Sequence, residues 1–151
     1  MSKTANILVI DDEQVIIDAV IKICSLDDYT VDSALNIKTA IEKITKNYYP
    51  IIISDIMMPD GNGFQVLDEL RNRNSKSVVI MMTGYSTVEN AVNSLYKGAI
   101  DFIPKPFTVD ELLSSVYRAN KYQVIKEKQK TLSSQKNNDE LLYVTCPAKY
   151  L

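Results

Sequence analysis

The stretch IIISDIMMPDGNG, residues 51–63, decides the fold of this chain, because it joins an apolar run to an aspartate and a turn. Residues 51–54 show no alternation of apolar and polar side chains, which is typical of a strand buried on both faces of a parallel sheet. The proline, asparagine and glycines that follow are typical of a turn. The stretch therefore predicts a central strand with Asp55 at its carboxyl end.

Similar apolar segments lie on both sides of this strand and alternate with helical patterns. The predicted strands cover residues 6–10, 30–34, 51–54, 78–82 and 101–103, and the predicted helices residues 14–26, 37–46, 64–72 and 86–97, with a fifth helix opening at residue 108. Capping boxes, Ser86-x-x-Glu89 and Thr108-x-x-Glu111, open the last two helices. Five βα units are too few for a barrel. The sequence predicts an α/β fold: an open, doubly wound, five-stranded parallel sheet of the (βα)5 flavodoxin-like type, in a three-layer sandwich.

The composition fits one globular domain and excludes several classes of protein. The chain has 151 residues, of which 46% are hydrophobic and 24% charged. No apolar run approaches the roughly 18 residues of a membrane span, and acids follow the first apolar residues too closely for a secretory signal, so we expect a cytoplasmic protein without membrane contact. There is no histidine, which excludes His-ligated metals and Ser-His-Asp triads, and four glycines cannot form a glycine-rich nucleotide motif.

The charges divide the chain into an acidic body and a basic tail. Residues 1–120 hold 11 Lys+Arg and 16 Asp+Glu, whereas residues 121–151 hold 6 and 3. An acidic body argues against nucleic-acid binding by this chain.

Polar side chains follow four of the five predicted strands, and the carboxyl ends of parallel strands meet at one edge of a sheet. These residues are Asp11 and Asp12 after the first strand, Asp55 after the third, Thr83 after the fourth and Lys105 after the fifth. Carboxylates about 4 Å apart repel by roughly 4 kcal/mol per pair, which a cation would relieve. Oxygen ligands favour Mg²⁺, with Mn²⁺ as the alternative. We expect Asp12 and Asp55 to be ligands, with Asp11 acting directly or through water.

The polar residues at this edge also predict the transfer of a phosphoryl group. Lys105 and Thr83 would supply positive charge and a hydrogen-bond donor to the phosphoryl oxygens. Asp55, on the central strand, is the predicted nucleophile and would form an acyl phosphate.

Four segments of the chain resemble the receiver domains of two-component response regulators. They are ILVIDDE at 7–13, IIISDIMMPDGNGF at 51–64, VVIMMTGYST at 78–87 and KGAIDFIPKPF at 97–107, and the resemblance extends over roughly residues 6–120. It implies that a sensor histidine kinase or phosphotransfer protein phosphorylates Asp55. It also implies that Mg²⁺ is held by Asp11, Asp12, Asp55 and the backbone carbonyl of Met57.

The resemblance further implies a switch. Thr83 and Lys105 would contact the phosphoryl group, Thr83 and Phe102 would form the switch pair, and the bond before Pro106 would be cis. Phe102 could also be a simple core residue. Phosphorylation would alter the face made by the fourth helix, the fifth strand and the fifth helix, where a partner or a second copy of the chain would bind.

Two residues are expected to set the lifetime of the phosphorylated state. By resemblance, the side chains beside the path of the attacking water are those of Met57 and Tyr85. A thioether cannot hold a water and Tyr85 is bulky, so we expect slow self-dephosphorylation.

Other function classes fit less well. Asp11-x-Glu13-x-Val15 distantly resembles the signature of haloacid-dehalogenase-like phosphatases, but its second acid is Glu and Asp55 would have no role. A flavodoxin-like FMN carrier shares the sheet order, yet its phosphate would be repelled by the acids at residues 11–13. A degenerate receiver that only binds proteins stays open. We therefore expect a signalling switch and not an enzyme acting on an outside substrate.

The predicted domain organisation is a receiver domain at 1–120, followed by an extended last helix, a linker or the start of a missing output region at 121–151.

Overall fold

The computed structural model of the protein describes residues 5–85 and 87–135, and strands alternate with helices through them. The strands of the main sheet are β1 (Ile7–Ile10), β2 (Val31–Ala34), β3 (Ile51–Asp55), β4 (Val78–Thr83) and β5 (Asp101–Pro104). The helices are α1 (Gln14–Ser25), α2 (Ile37–Lys46), α3 (Phe64–Asn72), α4 (Val88–Tyr96) and α5 (Val109–Gln135). A short antiparallel hairpin pairs Met57–Met58 with Gly61–Asn62, where the sequence predicts only a turn.

The five strands form one parallel sheet in the order β2-β1-β3-β4-β5. Successive residues of β1 enter opposite core layers: Leu8 and Ile10 pack on one side of the sheet, Ile7 and Val9 on the other. Helices α2 and α3 cover the first layer, and α1 and α5 cover the second. This arrangement confirms the predicted doubly wound, flavodoxin-like three-layer sandwich.

The register of the sheet brings the polar strand ends to one edge. Ile10 lies opposite Ser54, so the residues that follow β1 and end β3 are adjacent. Thr83, at the end of β4, lies opposite Pro104 of β5. The residue pattern that buries β3 on both faces therefore also places Asp55 in the middle of this edge.

One of the two predicted capping boxes is present as predicted. The backbone N–H of Glu111 donates to Thr108 Oγ1 at 3.1 Å, and the N–H of Thr108 donates to Glu111 Oε1 at 2.8 Å. Helix α4 differs, because it begins at Val88 and its cap is Thr87, whose hydroxyl accepts from Asn90 N at 3.0 Å. A threonine hydroxyl caps a helix in the same way as a serine hydroxyl, and Thr87 lies one residue after the predicted cap. Ser86, the predicted cap, lies outside the described residues.

Helix α5 continues well past residue 120, to Gln135. Its later turns contact the body of the domain through Gln123, which is buried and donates from Nε2 to the hydroxyl of Tyr48 at 2.6 Å. The rest of the predicted linker, residues 136–151, lies outside the described residues. Within the described ranges, no helix is both long and apolar enough to cross a membrane.

Gly63 is a residue of the β3–α3 connection that cannot accept a side chain without backbone movement. A Cβ atom there would lie 2.3 Å from the backbone oxygen of Asp55 and 2.6 Å from Met81 Cε. We expect Gly63→Ala to lower the free energy of unfolding by about 1–3 kcal/mol, because backbone has to move. Gly84→Ala is the matched control, since no heavy atom lies within 4 Å of its added Cβ. Urea unfolding of both variants is the measurement, and equal losses would contradict the packing argument.

Candidate functional site

Three carboxylates converge at the carboxyl edge of the sheet. Asp11 and Asp12 follow β1, and Asp55 ends β3, the neighbouring strand. One carboxylate oxygen from each lies within 4.8 Å of the others. Asp11 and Asp55 are buried, whereas Asp12 is exposed. The cluster therefore has two acids fixed in the protein and one that faces solvent.

Lys105 joins the two buried acids. Its Nζ lies 2.8 Å from Asp11 Oδ2 and 2.9 Å from Asp55 Oδ2, and 3.6 Å from Glu13 Oε1. The bond between Lys105 and Pro106 is cis, and the Lys105 N–H donates to the carbonyl of Thr83 at 2.9 Å. The ammonium group thus offsets the repulsion between the neighbouring carboxylates.

Burial and hydrogen bonding shift the pKa values of Asp11 and Lys105 in opposite directions. Burial raises the pKa of Asp11, although hydrogen bonds from Lys105 and from the backbone N–H of Glu13 oppose the rise. Burial alone would lower the pKa of Lys105, but its hydrogen bonds to Asp11 and Asp55 raise it above the ordinary value. The lysine therefore stays charged at neutral pH.

Backbone N–H groups also fix the side chains of Asp55 and Thr83 at this edge. The N–H of Met57 donates to Asp55 Oδ1 at 3.3 Å. The hydroxyl oxygen of Thr83, which is fully buried, accepts from the N–H of Tyr85 at 3.1 Å. Each acceptor thus keeps a defined orientation.

These residues line a cleft of about 640 Å³. Of the sequence-predicted site residues, it brings together Asp12, Asp55, Met57, Thr83, Tyr85, Lys105 and Pro106. Asp11 does not line the cleft but contacts Lys105, which does. Met57 and Tyr85 form its rim, with more than half of each side chain exposed.

Besides Asp11, Phe102 is the predicted site residue that does not line this cleft. It is half-buried on β5 opposite Met81, packs against the core layer under α2 and α3, and lines a groove toward α5. Two strands connect the cleft to Phe102: β4, which carries Thr83 and Met81, and β5, which ends directly before Lys105.

The acid cluster fits a hard divalent cation. Its donors are all carboxylate oxygens, which Mg²⁺ prefers, and the exposed Asp12 leaves room for the waters that this ion retains. Asp11 and Asp55 each accept one hydrogen bond from Lys105 and one from a backbone N–H, whereas a carboxylate has about four acceptor sites. The site therefore has ligand capacity left for an ion.

Sequence reasoning missed two polar side chains that hold the loops of the site. Asp60, in the short hairpin, accepts from the N–H groups of Ile37 and Lys38 at 2.9 and 3.0 Å, and these bonds lower its pKa. Asn90 Nδ2, on α4, donates to the carbonyl of Tyr85 at 2.7 Å. Asp60 has no local signal in the sequence, because its partners lie more than twenty residues earlier in the chain. Asn90 has none because its bond depends on how the connection from β4 folds.

Comparison with protein families gives one clear match. A family model described as the response regulator receiver domain matches residues 7–117. The regulatory protein AtoC from Escherichia coli is 34% identical over 127 residues, which are 84% of this chain and 28% of AtoC. The transcriptional regulatory protein DltR from Streptococcus agalactiae is 34% identical over 128 residues, 79% of this chain and 57% of DltR. The chain thus spans less than two thirds of these curated relatives.

Solved structures agree with this match. The beryllofluoride-activated NtrC4 receiver domain dimer is 36% identical, with a TM-score of 0.73, over 77% of this chain and 97% of that one. A CheY-like receiver domain protein from Methanospirillum hungatei is 30% identical, with a TM-score of 0.72, over 84% and 99%. NtrX from Brucella abortus has a TM-score of 0.79 at 31% identity, over 92% and 31%. The chain belongs to the response regulator receiver domain family.

Proposed function

We propose that this chain is a phosphorylation-controlled switch in which Asp55 accepts a phosphoryl group. The observation that carries the proposal is the position of the Asp55 carboxylate. It is 5% exposed at the end of the central strand, 2.9 Å from the Lys105 ammonium, in the same cleft as the Thr83 hydroxyl. A nucleophile, a cation and a hydroxyl donor therefore face one space.

The transfer is a displacement at phosphorus. An Asp55 carboxylate oxygen attacks, the new O–P bond forms, and the bond from phosphorus to the donor's histidine nitrogen breaks with its electron pair leaving on that nitrogen. Lys105 then turns from the carboxylate to a phosphoryl oxygen, and Thr83 donates to another. Receiver domains bind Mg²⁺ at an acidic pocket; here Asp11, Asp12, Asp55 and the Met57 carbonyl would hold it. The ion would neutralise charge that develops on the phosphoryl oxygens.

A sensor histidine kinase or a phosphotransfer protein is the proposed donor. The proposed output is a change in the face made by α4, β5 and α5, to which Thr83 and Phe102 would connect the cleft. The α4 part of that face is apolar, since Val88, Val92, Leu95 and Tyr96 are all more than half exposed. A second copy of the chain is a candidate partner there, and the NtrC4 receiver is a dimer when beryllofluoride-activated.

The haloacid-dehalogenase-like alternative is weakened by the environment of Asp11. In that mechanism Asp11 would be the nucleophile, yet it is fully buried and does not line the cleft. Both acids accept hydrogen bonds from Lys105 and from a backbone N–H, so access to the cleft is what separates Asp55 from Asp11. Asp55 is the better placed carboxylate.

The direct test is labelling with a small acyl phosphate. Incubation of the chain with the acyl phosphate and Mg²⁺ should add one phosphoryl group, read by intact mass. The same incubation with a chelator should add none. If the chain gains no phosphoryl group with Mg²⁺, the proposal fails and a degenerate, purely protein-binding receiver becomes the better explanation.

Mg²⁺ should stabilise the folded chain, because an ion that binds only the native state shifts unfolding. At ten times its dissociation constant, this stabilisation is about 1.4 kcal/mol, or a rise in Tm of roughly 3–6 °C. We expect Asp12→Ala to abolish the rise, while Asp68→Ala, an exposed aspartate on α3, should keep it. Thermal unfolding with and without millimolar Mg²⁺ is the measurement, and a full rise in Asp12→Ala would contradict the ligand set.

A further inference from the structure

We infer that Asn90 is a positioning residue that holds the β4–α4 connection in its resting place and opposes the movement of Thr83 toward a phosphoryl group. The inference rests on the proposed function, since it concerns what that movement has to break. It assigns a role to a side chain that lies outside the cleft, on the first turn of α4.

The peptide groups of Tyr85 are held from both sides. Its N–H donates to Thr83 Oγ1 at 3.1 Å, and its carbonyl accepts from Asn90 Nδ2 at 2.7 Å and from Thr87 N at 3.1 Å. Asn90 also donates its own N–H to Thr87 Oγ1 at 3.0 Å. A short chain of hydrogen bonds therefore runs from the Thr83 hydroxyl to the first turn of α4.

This chain couples two displacements. Thr83 Oγ1 cannot approach a phosphoryl oxygen and keep its present geometry with Tyr85 N unless Tyr85 moves as well. A shift of Tyr85 relative to α4 carries its carbonyl away from Asn90 Nδ2. The Asn90 bond is therefore made in the resting arrangement and lost in the shifted one, so it stabilises the first over the second.

Few buried side chains fix the position of α4 relative to the connection that precedes it. Among its residues, Ser94 is the buried one, and its Oγ donates to the backbone carbonyl of Asn90 at 2.8 Å. The apolar side chains of α4 named above are mostly exposed. Because little buried surface fixes the helix, the hydrogen bond from Asn90 contributes to the relative position of α4 and Tyr85.

The experiment compares Asn90→Ala with Asn93→Ala, the same change at an exposed position of the same helix. Beryllofluoride with Mg²⁺ serves as the phosphoryl mimic, and its affinity is measured by titration. Loss of a hydrogen bond that favours only the resting arrangement should tighten binding about twofold to fivefold in Asn90→Ala. Asn93→Ala should bind as the wild type does, and the Mg²⁺ affinity of both variants without beryllofluoride should be unchanged.

Backbone amide shifts supply a readout that a merely structural role would not move. Without beryllofluoride, the amides of Gly84, Tyr85 and Thr87 in Asn90→Ala should lie partway along the line that joins the free and beryllofluoride-bound wild-type positions. Lower stability with unchanged affinity and no such displacement would mean that Asn90 only caps the helix, which overturns the inference. A wild type that does not bind beryllofluoride would overturn the proposed function and the inference together.

Discussion

Asp55→Asn is expected to abolish phosphorylation of the chain completely. The amide nitrogen and oxygen that replace the carboxylate are far weaker nucleophiles, and no other described carboxylate has the same combination of burial at the central strand end and contact with Lys105 within the cleft. The measurement is the intact mass after incubation with a small acyl phosphate and Mg²⁺. Wild-type protein should carry one phosphoryl group and the variant none.

Substitutions at two other aspartates test whether the loss of labelling is specific to Asp55. Asp68→Asn, at an exposed position of α3, should be labelled like the wild type. Asp11→Asn should still be labelled, at a lower rate, because it removes a partner of Lys105 and a proposed metal ligand but not the nucleophile. Full labelling of Asp55→Asn, together with loss of labelling in Asp11→Asn, would instead indicate a nucleophile after the first strand.

The sheet and its polar edge could be predicted from the sequence because the decisive information is local. Each buried strand is a short apolar run, and the residue that follows it is at the carboxyl edge whatever the strand order. This local pattern was enough to predict the positions of Asp55 and Thr83. In the structure, each of the two strands is one residue longer than predicted and ends at that polar residue. Lys105 was found in the same way.

The links between loops could not be predicted, because they depend on tertiary contacts. The cap that Asp60 supplies to α2 joins residues brought together only when β3 and its hairpin pack beside that helix. Asn90 is an ordinary polar residue of α4 until the connection from β4 folds back and presents the Tyr85 carbonyl. The length of α5 was also open, since a polar pattern with sparse apolar residues describes an extended helix and a linker equally well.

The lifetime of the phosphorylated state is the second large expected effect, and we expect the rim of the cleft to determine it. Met57 is 54% exposed and Tyr85 66% exposed, and both line the cleft into which Asp55 opens. Hydrolysis needs a water in line with the bond to Asp55, and a thioether neither donates nor accepts well enough to hold one. We therefore expect the wild type to keep its phosphoryl group for minutes or longer.

Met57→Asn should shorten that lifetime, because the amide can hold a water beside the Asp55 carboxylate, to which the N–H of residue 57 already donates. A positioned polar group is commonly worth a hundredfold in such steps, and with no accompanying base we expect about tenfold faster decay. Met57→Glu should act in the same direction. The measurement is the decay of phosphorylated protein by intact mass after the donor is removed.

Val15→Asn is the matched control, because Val15 is 70% exposed on α1 and does not line the cleft, so that a new amide there leaves the water path unchanged. Tyr85→Ala separates obstruction from water positioning: if the ring blocks the path, its removal speeds decay on its own and adds to the effect of Met57→Asn. Decay of the wild type within seconds, or equal rates for Met57→Asn and Val15→Asn, would contradict the water-positioning argument. The proposed phosphoacceptor role of Asp55 would be untouched by either result, because that role concerns the arrival of the phosphoryl group, whereas Met57 and Tyr85 are expected to govern its loss.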